Sequence, residues 1–142
     1  LPMSAERLTE YADAREHRGQ LPNATASVSH RHPACGDIVE LAAHVESGLL
    51  RSLRFEARGC IVSQAAVAMF CEAVEGQSVD RLNTFSANDM LSLVGLPLSP
   101  KRIDCALLPL EAARLLAAKL AQAKPMHPVQ NTPDSGYGDP AT

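Results

Sequence analysis

The chain has 142 residues and a mass of 15.1 kDa, the size of one domain, and its 46% apolar residues are enough to fill a single core. A formal net charge of -3, a pI near 5.9, 4% aromatic residues and no Trp argue against nucleic-acid binding, because the chain has neither a basic stripe for phosphates nor a stacking platform for bases. No window holds the roughly 20 continuous apolar residues of a membrane span, and the first residues lack the apolar centre of a signal peptide, so we expect a soluble, cytoplasmic protein.

The N-terminal part of the chain predicts a helix, a loop and a first strand. Residues 4–11 predict a short, loosely packed helix, since Ser4 is a capping residue and Leu8 and Tyr11 fall on one face. The polar residues 15–25 interrupt any regular pattern, and residues 26–30 then have the composition of a short strand. We therefore predict that residues 1–25 form a flexible N-terminal helix and loop ahead of the main domain.

The next two elements are predicted to be strands, because apolar side chains alternate with polar ones. The alternating positions are Val39, Leu41, Ala43 and Val45, followed by Leu53, Phe55 and Ala57. The turn Glu46-Ser47-Gly48 lies between them, and Gly tolerates the positive φ of a hairpin. An antiparallel pair is predicted, and residues 26–30 make a third strand.

The second half of the domain is predicted to be helical. Four apolar residues spaced as on one helix face follow Cys60, with Ser63 as a candidate cap and Gly76 as the stop: Val67, Phe70, Cys71 and Val74. Residues 86–94 predict a helix with a capping pair formed by Ser86 and Asp89. Residues 104–123 predict the last helix, with Asp104 as its N-cap and Pro109 in its first turns.

These elements predict an α+β fold in which a three-stranded antiparallel sheet packs against several helices. The main domain is expected at residues 26–123. Residues 124–142 are dominated by Pro, Gly, Asn, Asp and Ser, so we expect a disordered tail.

The four cysteines are too few and too widely spaced for the disulfide framework of a small secreted domain. Cys71 lies in the apolar stripe of a predicted helix, about 16 Å from Cys60 at about 1.5 Å per residue. A buried thiol in such a stripe is a small apolar filler. We therefore assign Cys71 to the core.

The other three cysteines, Cys35, Cys60 and Cys105, lie at predicted junctions between elements, where side chains are exposed and unpaired N–H groups lower the pKa of a thiol. Three basic residues close to Cys60 or Cys105 add to this effect or are ordinary solvated charges: Arg58, Lys101 and Arg102. Asp37 follows Cys35 by two residues. Three thiolates and a carboxylate make a four-ligand set for tetrahedral Zn²⁺ or for iron, although no C-x-x-C pair supports it.

Three segments carry a resemblance to a known family. HPACGD (residues 32–37) resembles the Asn-Pro-x-Cys-Gly-Asp loop of the IscU/NifU/SufU iron–sulfur cluster assembly scaffolds. FEARGC (residues 55–60), with Ser63, is similar to the second-cysteine turn of that family, and PKRIDCAL (residues 100–107) is similar to its third motif in the SufU form. The likeness extends from about residue 26 to 120.

The resemblance implies an α+β scaffold on which Cys35, Asp37, Cys60 and Cys105 hold Zn²⁺ or a nascent [2Fe–2S] cluster. It implies a cysteine desulfurase as the donor of persulfide sulfur, with Cys35 or Cys105 as the acceptor, and cluster acceptor proteins as later partners. Asp37 is then the carboxylate ligand that yields when the cluster leaves. An exposed ligand set also allows dimerisation through a shared metal.

The chain departs from the family pattern in several places. Asp104 stands where the IscU branch has His before the last cysteine, and serves either as a helix N-cap or as a hard oxygen ligand. His32 replaces the family's Asn and is expected to be a loop residue. The interval from Cys60 to Cys105 lacks the SufU insertion. The chaperone-recognition segment survives only loosely in residues 96–101, and the family's N-terminal motif is not recognisable at residues 13–20.

Three functional hypotheses remain open at the level of sequence. The first is a non-enzymatic scaffold that assembles and passes on a [2Fe–2S] cluster, favoured by the short interval between Cys60 and Cys105. The second is a zinc-dependent sulfur acceptor that activates a cysteine desulfurase, favoured by Arg102 and the absent His. The third is a module in which zinc only stabilises the fold.

Overall fold

The computed structural model describes residues 5–33 and 36–123. Their elements, in chain order, are α1 (Ala5–Asp13), β1 (Ala26–Arg31), β2 (Ile38–Glu46), β3 (Leu49–Arg58), α2 (Ile61–Val74), α3 (Arg81–Thr84), α4 (Ala87–Val94) and α5 (Pro100–Ala123). The predicted α+β class and the three-stranded sheet are confirmed. The tail prediction for residues 124–142 lies outside the described residues.

The sheet has the order β1-β2-β3, and both pairs are antiparallel. β2 and β3 are joined at Ser47 and Gly48, whose φ angles of 56° and 76° are both positive, as the predicted hairpin requires. A register irregularity between His44 and Val45 then interrupts the pairing close to the turn. The turn and the alternating pattern together fix which face of the sheet meets the helices.

The alternating side chains of the strands point into one core, as predicted. Val39, Leu41 and Ala43 on β2 are fully buried, as are Leu53 and Phe55 on β3 except for a trace of the Phe ring. Helix α2 supplies the other side of this core, with Phe70 and Cys71 fully buried. The assignment of Cys71 to the core is confirmed, and burial raises the pKa of its thiol far above the ordinary value.

Helix α1 is packed more closely than the sequence suggests. Leu8 is only 7% exposed, and the Tyr11 hydroxyl donates a hydrogen bond of 2.6 Å to Glu72 on α2. The loop after α1 also borders the sheet, because the Phe55 N–H donates to the His17 carbonyl at 2.7 Å. This N-terminal segment is therefore joined to the helical layer through the Tyr11 side chain and to the sheet through its backbone.

The start of α2 differs from the sequence prediction. The helix begins at Ile61 with Cys60 as its N-cap residue, so Ser63 lies inside the first turn and its predicted role as the cap is wrong. Only Gly59, with a φ of 152°, and Cys60 separate the end of β3 at Arg58 from the helix, so the helix begins before Ser63. In α4, by contrast, Ser86 and Asp89 form the predicted capping box.

Helix α5 begins four residues before its predicted start. Ser99 precedes it and accepts hydrogen bonds at its side chain from the Arg102 N–H and at its carbonyl from the Ile103 N–H, so Ser99 occupies the N-cap position. Pro100 is the first helical residue, where its lack of an N–H costs nothing. The prediction that Asp104 is the N-cap is therefore wrong, and Pro109 lies in the helix interior rather than in the first turns.

One end of the domain collects the elements that carry the predicted site. β2 begins there at Ile38, β3 ends there at Arg58 opposite Ile38, and α2 begins there at Ile61. The first turns of α5 reach the same end, because Cys105 lies close to Asp37 and Cys60. Among the described residues, none of the helices combines the length and hydropathy that crossing a membrane would need.

Candidate metal centre

The junction between β3 and α2 forms the floor of the site. Gly59 has a φ of 152°, a backbone conformation that side chains disfavour. A Cβ atom placed on Gly59 would lie 2.3 Å from Cγ of Asp37 and 2.6 Å and 2.7 Å from its two oxygens. The absence of a side chain at Gly59 is therefore what lets the Asp37 carboxylate lie against the chain just before Cys60.

Asp37 reaches this position from the loop between β1 and β2. The loop is closed by two backbone hydrogen bonds of 2.8 Å, from the His32 N–H to the Asp37 carbonyl and from the Gly36 N–H to the His32 carbonyl. The Asp37 carboxylate then accepts hydrogen bonds at Oδ2 from the Cys60 N–H at 3.3 Å and from the Ser63 hydroxyl at 3.0 Å. It thus caps the first turn of α2 from a different element of the chain.

These contacts keep Asp37 ionised. Burial by itself raises the pKa of the carboxyl group, but hydrogen bonds from the Cys60 N–H, the Ser63 hydroxyl and the Cys105 thiol outweigh it. The net result is a pKa below the ordinary value of 3.8. A carboxylate is the form that binds a cation.

Cys60 is half-buried at the N-terminus of α2. Burial raises the pKa of its thiol, but the N–H groups of Ser63 and Val62 and the neighbouring Cys105 thiol lower it by more. The pKa of Cys60 therefore lies below its ordinary value of 9.0, as is usual for a thiol at the positive end of a helix. The thiolate is both the metal-binding and the nucleophilic form.

Cys105 comes to the site from α5. Because the helix begins at Pro100, Cys105 is a helical residue and is only 2% exposed, so the prediction of an exposed junction cysteine is wrong for this position. One ligand atom each from Asp37, Cys60 and Cys105 lie within 4.8 Å of one another. Residues 23 and 45 positions apart in the sequence are thus brought together by the fold.

From the sequence, Cys35 and Asp104 are also considered as ligands. Cys35 lies outside the described residues, in the connection between β1 and β2 that also carries Asp37. The four-ligand set therefore remains a prediction. Asp104 is exposed on α5 and does not belong to the close group formed by Asp37, Cys60 and Cys105 among the described residues.

Arg102 lies at the open side of this group, one turn of α5 before Cys105. Its pKa is raised, first by a hydrogen bond to Cys60 and then by the negative charge of the Cys60 thiolate. The sequence has three basic residues close to Cys60 or Cys105, and all three side chains are exposed: Arg58, Lys101 and Arg102. Of these three, Arg102 is the residue whose pKa responds to Cys60 and Cys105.

The donor set fits zinc or iron. Thiolates are soft ligands that both metals accept, and one carboxylate oxygen completes a mixed set that is less closed than four thiolates. Donor atoms around a tetrahedral zinc ion lie about 3.8 Å apart for Zn–S bonds of about 2.3 Å. The observed separations of up to 4.8 Å require only small side-chain movements to reach this arrangement.

The sequence reasoning missed the roles of Gly59 and Ser63. The sequence identifies Gly59 only as part of a motif and predicts Ser63 to be a helix cap. In the structure the Ser63 hydroxyl lies 3.0 Å from Asp37 and 3.0 Å from the Cys60 carbonyl. The sequence signal for both residues is their spacing from Cys60: Gly59 immediately precedes it, and Ser63 follows it by three residues. Its meaning depends on Asp37, which the sequence does not place next to them.

The chain is similar in sequence to several known proteins. IscU of Thermotoga maritima, an iron–sulfur cluster assembly scaffold protein, is 32% identical over 80 residues, which are 56% of each chain. SufU of Bacillus subtilis, a zinc-dependent sulfurtransferase, is 25% identical over 114 residues, covering 68% of this chain and 78% of its own. The aligned region spans only 56% and 49% of the IscU proteins of Thermotoga maritima and Plasmodium falciparum.

Solved structures share the fold. The putative iron–sulfur cluster assembly scaffold protein of the SUF system from Fervidobacterium islandicum superposes with a TM-score of 0.67 at 21% identity, covering 80% of this chain and 96% of that chain. A NifU-like protein from Brucella abortus gives 0.65 at 20% identity, covering 82% and 93%. The sequence itself matches the family described as NifU-like N terminal domain over residues 4–125, most of its length. The chain therefore belongs to the NifU-like N-terminal domain family.

Proposed function

We propose that this protein is an iron–sulfur cluster assembly scaffold, which receives sulfur and iron, holds a nascent [2Fe–2S] cluster and passes it to an acceptor protein. The observation that carries the proposal is the meeting of Asp37, Cys60 and Cys105 within 4.8 Å at one end of the domain. Cys35 is the fourth proposed ligand. The scaffold proteins named among the relatives support the same assignment.

The arrangement suits a cargo that must arrive and leave. Asp37 and Cys60 both lie at the N-terminus of α2, where hydrogen bonds lower their pKa values and so favour the forms that bind a metal. A carboxylate binds iron less tightly than a thiolate in a sulfur-rich site, which makes Asp37 the ligand most easily exchanged. The proposal places the protein in a reducing compartment, where the thiols stay free.

Sulfur would enter by persulfide transfer from a cysteine desulfurase. A thiolate of this chain attacks the outer sulfur of the donor persulfide, a new S–S bond forms, and the desulfurase cysteine leaves as a thiolate. Cys105 is 2% exposed, which obstructs its approach to a second protein. We therefore favour Cys35 over Cys105 as the first acceptor.

A second candidate function is that of a zinc-dependent sulfur acceptor that activates a cysteine desulfurase. It is supported by the contact of Arg102 with Cys60, because a guanidinium beside a thiolate stabilises the anion without occupying a metal coordination position. The similarity to the sulfurtransferase SufU supports it too. Zinc would then hold Cys35, Asp37, Cys60 and Cys105, and would supply a Lewis-acid centre at which thiolates exchange.

One anaerobic experiment separates the candidates. The apoprotein is mixed with ferrous iron, cysteine, a cysteine desulfurase and a thiol reductant that reduces persulfide sulfur to sulfide. Visible absorption follows cluster formation and transfer to an apo-acceptor. A [2Fe–2S] spectrum that moves to the acceptor supports the scaffold. Faster desulfurase turnover with zinc and no cluster supports the sulfur acceptor, whereas neither effect, together with unfolding on chelation, supports a purely structural zinc module.

Variants assign the residues in the same experiment. Cys35→Ser, Cys60→Ser and Cys105→Ser are each expected to abolish the activity, because each removes a proposed ligand. Cys71→Ser is the matched control, since Cys71 is equally a cysteine but is fully buried in the core. It is expected to lower only stability, by about 1–3 kcal/mol for a hydroxyl placed in an apolar site. A well-folded Cys71 variant that no longer binds metal would contradict the ligand assignment.

A further inference from the structure

Ser63 is a buried polar residue beside the metal centre. Its exposure is only 1%, on a helix face otherwise filled by apolar side chains. Its hydroxyl lies 3.0 Å from Asp37 Oδ2 and 3.0 Å from the Cys60 carbonyl, and the Cys60 sulfur is 3.9 Å away. A hydroxyl buried in this way needs a defined hydrogen-bond partner.

The hydroxyl carries one proton, so it donates to only one acceptor at a time. The Cys60 sulfur, at 3.9 Å, is farther away than Asp37 Oδ2 and the Cys60 carbonyl. The Cys60 carbonyl already accepts the Gln64 N–H at 3.2 Å within α2. Asp37 is an ionised carboxylate, and hydrogen bonds to charged acceptors are about twice as strong as neutral ones. The proton of Ser63 is therefore directed to Asp37.

One oxygen of the Asp37 carboxylate is therefore occupied by hydrogen bonds. Oδ2 accepts from both the Ser63 hydroxyl and the Cys60 N–H, while the backbone of Gly59 limits movement on one side. An oxygen that accepts two hydrogen bonds is a weaker candidate for metal coordination than its partner oxygen. The arrangement thus favours coordination through Oδ1 alone and fixes the direction from which Asp37 meets the metal.

We propose that Ser63 is a positioning residue that presets Asp37 for metal binding by holding its Oδ2 atom. This inference rests on the proposed function only in taking Asp37 as a ligand. Groups that orient a ligand from behind raise metal affinity about 10-fold to 100-fold. Loss of the Ser63 hydroxyl is therefore expected to weaken metal binding although Ser63 itself does not touch the metal.

The test is a double-mutant cycle on metal affinity with Zn²⁺ and Co²⁺ as probes, measured anaerobically by competition with a chromophoric chelator. Ser63→Ala is expected to lower affinity about 10-fold or more in the wild-type background. In the Asp37→Ala background the same change is expected to have less than about a 2-fold effect, because there is no carboxylate left to orient. A structural role for Ser63 would lower affinity equally in both backgrounds and overturn the inference.

Three controls complete the design. Gln64→Ala alters the neighbouring residue, whose side chain contacts the Gly59 carbonyl at 3.3 Å and not Asp37, and is expected to leave affinity unchanged. Ser63→Thr and Ser63→Val have equal volume and differ by the hydroxyl, so only Thr should retain affinity and the wild-type thiolate-to-cobalt charge-transfer spectrum. This pair gives the same comparison should Ser63→Ala fail to fold.

The outcomes separate this inference from the proposed function. If Asp37→Ala leaves metal affinity unchanged, Asp37 is not a ligand, and both the ligand set and the role of Ser63 are overturned. If Asp37→Ala lowers affinity but Ser63→Ala does not, the ligand set stands and the positioning role falls. Equal affinities of the Thr and Val variants would likewise overturn the positioning role.

Discussion

At the scale of single residues, the contact between Arg102 and Cys60 links the electrostatics of the site to its reactivity. The pKa of Cys60 is already lowered by the N–H groups of α2, and the pKa of Arg102 is raised by its hydrogen bond to the Cys60 sulfur. A guanidinium near a thiol favours the thiolate, although the N–H groups of α2 and the neighbouring side chains are the main causes of the lowered pKa of Cys60. Arg102 is fully exposed, and salt is expected to screen its effect.

Arg102→Ala is therefore expected to raise the pKa of Cys60 and to slow its alkylation. In the wild-type apoprotein, the rate of reaction of Cys60 with iodoacetamide should reach half its maximum below the ordinary thiol pKa of 9.0. The variant should shift this midpoint to higher pH. Peptide mass spectrometry identifies the labelled cysteine at each pH. Lys101→Ala is the matched control, because it removes the adjacent charge on the same helix turn, and an equal shift there would contradict a specific contact.

The sign of the linkage to stability follows from the same pKa. The folded pKa of Cys60 is lower than its unfolded value, so its thiolate stabilises the fold fully above pH 9.0. That contribution is lost as the pH falls through the folded pKa. Cys71 acts in the opposite direction, because its raised pKa gives stability below pH 9.0 that is lost as the pH rises beyond it.

Gly59 tests the close approach of Asp37 to the backbone. Gly59→Ala would bring a methyl group to 2.3 Å from Cγ of Asp37 and strain a φ of 152° as well. The expected result is displacement of the carboxylate, with metal affinity reduced at least as strongly as in Asp37→Ala. Isothermal titration with Zn²⁺ measures this.

Gly19→Ala separates steric exclusion from backbone strain. Gly19 has a positive φ of 124°, but a Cβ atom there meets nothing within 4 Å. The variant should lose about 1–3 kcal/mol of stability from strain and keep its metal affinity. If both glycine variants lose metal affinity alike, the close contact with Asp37 is not what matters.

The sequence predicts the helices and strands better than it predicts which side chains meet at the site. Cys60 and Asp37 are recognisable as candidates because each sits at a strand boundary, and the family motifs single them out. The hydrogen bond from Ser63 to Asp37 joins residues 26 positions apart, so no local pattern contains it. Such contacts follow only from the packing of the loop before β2 against the first turn of α2.

At the scale of elements, the starts of helices were harder to predict than their apolar faces. Asp104 and Ser99 are both good N-cap residues, and Asp104 lies immediately before a run of Leu and Ala, which favours it in the sequence. The structure chooses Ser99 because Pro100 has a fixed φ that suits the first helical position. The earlier start adds a turn that carries Arg102 and buries Cys105.

This choice predicts unequal costs for two alanine variants. Ser99→Ala removes the acceptor of the Arg102 N–H, a long hydrogen bond of 3.4 Å, and should lower the free energy of unfolding by about 0.5–1 kcal/mol. Asp104→Ala removes an exposed side chain from a helical position and should change it by less than about 0.5 kcal/mol. Urea unfolding of both variants measures the difference. A larger loss for Asp104→Ala would restore Asp104 as the residue that starts the helix.

At the scale of the whole molecule, the three proposed ligands that lie close together belong to three separate parts of the chain. Asp37 precedes β2, Cys60 precedes α2 and Cys105 lies in α5. Most of the apolar core lies outside this group, for example the edge-to-face pair of Phe70 and Phe85 at 5.4 Å between ring centroids, although the buried Cys105 belongs to both. A metal ion at the site would therefore join elements that already pack together.

A folded apoprotein that is further stabilised by metal is the expected result. Zinc at a free concentration of 100 times its dissociation constant should add about 2.7 kcal/mol to the free energy of unfolding, because it binds only the assembled ligands. For a chain of this size the melting temperature should rise by about 5–10 °C, and the rise should shrink from pH 8 to pH 6 as protons compete for the thiolates. Calorimetry with and without a chelator measures both effects.

The cysteine variants decide where that stabilisation arises. Cys60→Ser should melt close to the wild-type apoprotein and gain little from zinc, whereas Cys71→Ser should melt lower but keep the full zinc-dependent rise. The difference is expected because Cys60 contributes a ligand and Cys71 contributes only packing. If a chelator instead abolished the cooperative transition of the wild-type protein, the core would depend on metal. The site would then be a structural one rather than a place of exchange.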